Sequence, residues 1–168
     1  MKLLLEVKNI RPCAGGHSCN LSANGRKVAF IAPDILEWTS HSKMVDVLEA
    51  FALQFGLKKA GDVQPKILKD GWEREVPDYK IGDLNTEQVE AKLLQWINYH
   101  IQAHEIVKRC KNVLIAIDKD GSLVEFNCSQ QTIRSAYLKN ILNISDYTML
   151  NGKSYDEVLS LILPKIKS

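Results

Sequence analysis

Long apolar runs are missing from this chain. No stretch approaches the ~18 residues needed to cross a bilayer, so no membrane partner is expected. Met1–Lys8 opens like a secretion signal, but Glu6 and Lys8 interrupt its apolar core and no small-residue cleavage site follows. A strand and a cytoplasmic location are the expectation there. An excess of one charge is missing too. Residues 1–84 carry 12 Lys+Arg against 11 Asp+Glu, and residues 85–168 carry 10 against 9, so each half is +1. Proteins that hold nucleic acid by its phosphates show a basic excess or stripe, so nucleic acid is not the expected partner. Cysteine is scarce, and none of the four (Cys13, Cys19, Cys110, Cys128) stands in a CxxC pair. In a cytoplasmic chain they are reduced thiols.

Catalytic signatures are also missing. No Gly-Lys-Ser/Thr follows Gly15-Gly16, and the next residues read as strand, whereas a phosphate cradle needs a helix N-terminus. His100 and His104 share one helix face, but Ile101 stands where a zinc protease needs its glutamate. Asp118-Lys119-Asp120-Gly121 lacks the third ligand and closing glutamate of a calcium loop, and reads as a turn. A thiol nucleophile at Cys13 or Cys19 beside His17 has only Arg11 to lower its pKa.

What is present fits one α+β domain over residues 1–168, with a subdomain boundary within 57–84 as the alternative. A chain of this length buries about 70% of the surface it would expose unfolded, so it needs no disulfide or metal to fold. From Thr86 to Cys110, Val89, Leu93, Trp96, Ile97, Ile101, His104 and Val107 fall at helical spacing, predicting a long helix of roughly 37 Å. Val113–Ile117 and Leu123–Phe126 flank Lys119-Asp120-Gly121 as a hairpin. Upstream, a strand over Leu3–Lys8 ends at Arg11-Pro12. His17–Ser22 and Lys27–Ala32 pair around Asn24-Gly25, completing a three-stranded antiparallel meander that Pro33-Asp34 breaks. Shorter helices are predicted from Ser40 or Ser42 to Phe55, from Ser129 to about Leu142, and from Ser154, where Ser154-Tyr155-Asp156-Glu157 is a capping box.

Two constellations are candidate sites. In residues 57–84, Trp72, Glu73, Arg74, Glu75, Asp78 and Tyr79 form an aromatic-acidic stretch. Aromatics and arginine are the usual anchors of protein interfaces, although two aromatics folding back on a core would pin the same loop. The second set is Cys13, His17 and Cys19 with Cys110 and Cys128, soft ligands whose local spacing allows a zinc site. Free cysteines are more often small buried hydrophobes, so no cofactor is expected, with zinc as the alternative.

Asn9-Ile10-Arg11-Pro12, the glycine loop and Asn24-Gly25-Arg26-Lys27-Val28-Ala29-Phe30 resemble the hairpin that opens many small uncharacterised bacteriophage and plasmid proteins. Lys108-Arg109-Cys110-Lys111-Asn112, the strand after it and Asp120-Gly121 are similar to their second half. About a third of the chain is covered, and Ala32–Trp38 replaces the family's glycine-rich acidic segment. The resemblance implies an accessory gene of a mobile element in a bacterial cytoplasm and carries over no functional residue. The resulting expectation is a non-enzymatic protein that binds a host or phage protein, as an inhibitor of a bacterial defence system. The alternative is a zinc-containing protein that binds or processes nucleic acid.

Overall fold

A computed structural model describes residues 3–56, 80–81, 84–126 and 146–163. Its class is α+β, with antiparallel sheets and, among the described residues, three helices. The helix expected over 129–142 and the segment 57–79 lie outside the described residues. Two compact units emerge from the contacts, residues 1–98 with 165–168 and residues 99–164.

The first unit is built on a four-stranded antiparallel sheet in the order β1 (Leu5–Cys13), β2 (Gly16–Ala23), β3 (Arg26–Ala32), β4 (Ile35–Trp38). The expected meander had three strands. Pro33-Asp34 makes a tight turn instead of an end, with Asp34 at φ 59, a left-handed conformation that aspartate tolerates. Pro12 likewise does not end β1, which runs on through it. Because β1 is an edge strand with one side unpaired, a residue without an N–H is accommodated there. The register shifts between Lys8 and Arg11, where Asn9 takes φ 56. At the β2–β3 turn, Asn24 (φ 48) and Gly25 (φ 77) both adopt the positive φ that a two-residue hairpin requires.

Directly paired residues of an antiparallel ladder face the same side. One side carries the rows Val7–Leu21–Ala29–Trp38 and Cys19–Ile31–Leu36, with Leu5 opposite Ala23. Leu21, Ala29, Cys19 and Ile31 are buried. Helix α1 (His41–Gln54) packs on β3 and β4. Ser40 caps it by accepting from the Lys43 N–H, and Gly56 follows it at φ 68. Its buried face is Val47, Leu48, Phe51 and Ala52. Phe51 and Phe55 meet Trp96 of α2 (Thr86–Arg109) edge to face, with centroids 6.0 Å apart in each pair. The Trp38 indole N–H donates to Glu90 Oε1 at 3.2 Å. A short ladder pairs β5 (Lys80–Ile81) with β6 (Leu84–Asn85).

The second unit begins inside α2. Its sheet has the order β8 (Leu123–Phe126), β7 (Leu114–Asp118), β9 (Tyr147–Met149), so the expected hairpin gains a third strand. Central β7 is apolar on both faces. Ile115 joins Ala103 and Ile106 of α2, Leu150, and Val158 of α3 (Tyr155–Ile162) in one core. On the other face, Val124 and Met149 flank Ala116, and the rings of Phe126 and Tyr147 meet edge to face at 5.7 Å. The capping box forms as expected: Ser154 accepts from the Glu157 N–H, and the Glu157 carboxylate accepts from the Ser154 N–H. Arg109 at the end of α2 reaches both carboxylate oxygens of Glu125 at 2.5 Å.

Along α2 the buried stripe departs from the expected one. Val89, Leu93, Trp96 and Ile97 are buried as predicted, but His100, Ala103 and Ile106 follow, whereas Ile101 and His104 are half-buried. Spacing of four and three keeps Val89, Leu93, Trp96, His100 and Ala103 on one seam, and the 3.5-residue repeat rotates Ile101 off it. Among the described residues no helix is long and apolar enough to cross a membrane.

Candidate functional site

Within the first hairpin the ladder separates Cys13 from His17. Cys13 pairs with Gly16 and Pro12 with His17, so Cys13 and His17 occupy opposite faces of the first hairpin. Cys19 shares the His17 face but is 1% exposed in the core. Burial pushes its thiol up to about 11, which makes it an inert, protonated hydrophobe. Cys13 is exposed, and Cys110 is half-buried with its thiol also raised by burial. Cys128 lies outside the described residues. Among the described residues no three His, Cys, Asp or Glu side chains gather into a group that could hold a metal ion.

The two histidines of α2 have different surroundings. His100 is buried, and its Nδ1 hydrogen-bonds the Tyr155 hydroxyl at the first turn of α3. Burial lowers its pKa to about 4, against a small upward pull from Asp156. The ring is therefore neutral at pH 7, and it pins the start of α3 to α2. His104 is 43% exposed, with Nδ1 3.6 Å from Glu105 Oε1. The signal for the His100–Tyr155 contact was hidden in sequence, because the two residues stand 55 positions apart.

Other polar side chains also serve the scaffold. Asn151 Oδ1 accepts from the Ile115 N–H at 2.8 Å, while its Nδ2 donates to the carbonyls of Cys110 and Val113 at 2.9 and 2.8 Å. Asp118 Oδ1 accepts from the N–H groups of Asp120 and Ser122, closing the β7–β8 turn. That is the turn role expected for the Asp118–Gly121 stretch.

A surface suited to contact does appear, on the outward side of the four-stranded sheet. There the row Lys8–Asn20–Phe30–Glu37 crosses all four strands, with Ala32–Ile35 beside it and Arg11–Ser18 further along. Phe30 is half-buried with the Lys27 ammonium 5.3 Å from its ring centroid, and Ile35 is 52% exposed. An aromatic and a branched aliphatic ringed by Lys8, Arg11, Lys27 and Glu37 is the composition of an interface centre with a polar rim. A meander that ends at Pro33 lacks this face, because β4 supplies Ile35 and Glu37. The expected binding stretch Trp72, Glu73, Arg74, Glu75, Asp78 and Tyr79 lies outside the described residues. No family model, curated protein or solved structure matches this chain.

Proposed function

We propose that this protein works by binding another protein and not by catalysis. The observation that carries this reading is the outward sheet face, where Phe30 and Ile35 sit within a rim of Lys8, Arg11, Lys27 and Glu37. The scaffold uses found for His100, Asn151 and Asp118 support it, because the polar side chains that resemble chemistry are holding elements together. In this reading the aromatic-acidic stretch from Trp72 to Tyr79 is a second contact element. The partner is a host or phage protein, and the chain is a mobile-element accessory protein that inhibits a bacterial defence system.

Lysine-directed cross-linking in the native host tests the proposal. Lys8 and Lys27 should cross-link to one partner reproducibly. Phe30→Ala combined with Ile35→Asp should abolish that cross-link while leaving the circular dichroism spectrum intact. A partner captured equally by the double variant refutes the sheet face as the interface. Loss with Trp72→Ala and Tyr79→Ala, and not with the sheet variant, would move the interface to the segment instead.

A further inference from the structure

The chain holds two Asn-Gly pairs, Asn24-Gly25 and Asn151-Gly152, and the fold treats them in opposite ways. We infer that Asn24 is a site of spontaneous deamidation and isoaspartate formation in the native protein, while the fold protects Asn151 from the same reaction. In this chemistry the Gly25 backbone nitrogen gives up its proton to base and attacks Asn24 Cγ. A new N–C bond closes a five-membered succinimide, the Cγ–Nδ2 bond breaks, and the side-chain nitrogen leaves as ammonia. Water then opens the ring at either carbonyl, giving aspartate or isoaspartate. One water enters and one ammonia departs, and nothing is oxidised or reduced.

Four features of the β2–β3 turn favour the attack. Asn24 and Gly25 are both exposed, so base and water reach them. Nothing lies within 4 Å of where a Gly25 side chain would stand, which leaves the nucleophile uncrowded. The Leu4 N–H donates to Asn24 Oδ1 at 2.9 Å. That donor polarises the carbonyl under attack and is in place for the oxyanion of the tetrahedral intermediate. Arg26 and Lys27 follow immediately, and nearby positive charge favours the deprotonated nitrogen.

At Asn151 the carbonyl is also hydrogen-bonded, but the nitrogen that must leave donates to two backbone carbonyls. Its side chain cannot turn toward Gly152 without breaking both bonds and the one from Ile115, so reaction waits on local unfolding. The consequence at Asn24 is structural as well as electrostatic. The Asn24 N–H donates to the Leu4 carbonyl at 2.9 Å, so the turn and the start of β1 are tied in both directions. Isoaspartate lengthens the main chain by one carbon at that tie and removes one unit from the formal net charge of +2.

Incubation of the full chain at mildly alkaline pH, in native buffer and in parallel in concentrated urea, tests this by peptide mapping. In native buffer the Asn24 peptide should gain the mass difference between an oxygen and an NH group and resolve into two products. The Asn151 peptide should convert more slowly by about tenfold or more, the margin set by local opening. In urea both should convert at similar rates. Asn24→Asp should remove the native acidic variant from ion-exchange profiles. The inference is overturned if native Asn24 stays intact while the urea sample converts, or if both sites convert alike in the native protein.

Discussion

Asn151 joins three parts of the second unit through one amide: β7 at Ile115, the end of α2 at Cys110, and the link between them at Val113. Leaving buried or half-buried backbone groups unpaired costs more than a hydrogen bond gains. Asn151→Ala should therefore destabilise the protein by about 3 kcal/mol, read as a lower urea midpoint. Asn151→Asp keeps the acceptor for Ile115 but sets a carboxylate against two carbonyl oxygens, so it should not restore stability. A wild-type midpoint for Asn151→Asp would show that the two donated bonds contribute nothing. His100 makes a different prediction. Its folded pKa of about 4 lies below the ordinary 6.5, so between those values the unfolded chain binds more protons than the native one. Stability from this group is complete above pH 6.5 and is lost as the pH falls toward 4. His100→Gln should flatten that part of the stability–pH curve. An unchanged slope would place the linkage elsewhere.

At the scale of elements, local chemistry was legible and partnership was not. Ser154-Tyr155-Asp156-Glu157 announced both the start of α3 and its cap, and Asn24-Gly25 and Lys119-Asp120-Gly121 announced their turns. These signals sit within a few residues, where capping and φ preferences act. By contrast, no local signal marks β4 and β9, because each is short and gains its place only from a neighbour. The face of α2 was half legible: the expected stripe passes through Ile101 and His104, but the buried seam takes His100, Ala103 and Ile106, and Tyr155, 55 positions away, satisfies the buried imidazole. The candidate contact face followed the same rule, since its pattern appears only once four strands are laid side by side. Ser154→Ala should cost about 1 kcal/mol, measured by thermal or urea unfolding. Ser154→Asp should recover most of that loss, because it restores a capping acceptor. Without that recovery, the cap would not be what holds the helix start. The Glu157 carboxyl, held below its usual pKa by the Ser154 N–H and hydroxyl, belongs to the same box.

At the scale of the whole molecule, the three tryptophans (Trp38, Trp72 and Trp96) all fall in residues 1–98, while residues 99–164 carry tyrosines and Phe126 but no tryptophan. Tryptophan emission therefore reports the first unit, and far-ultraviolet circular dichroism reports both. Helix α2 supplies Val89, Leu93, Trp96 and Ile97 to one core and Ala103 and Ile106 to the other. Melting either core should strip half the helix of its packing, and a short helix does not persist alone. The two probes should give coincident urea transitions, the signature of two-state behaviour. Separate midpoints would mean that the halves of α2 unfold independently. The division between the units falls between Asn98 and Tyr99, inside an unbroken rod, so a gene cut at that codon would leave two fragments with ragged, half-wound ends. Complementation by two separately expressed pieces should then require that both carry the full Thr86–Arg109 coil, an overlap that a neater domain seam would not demand.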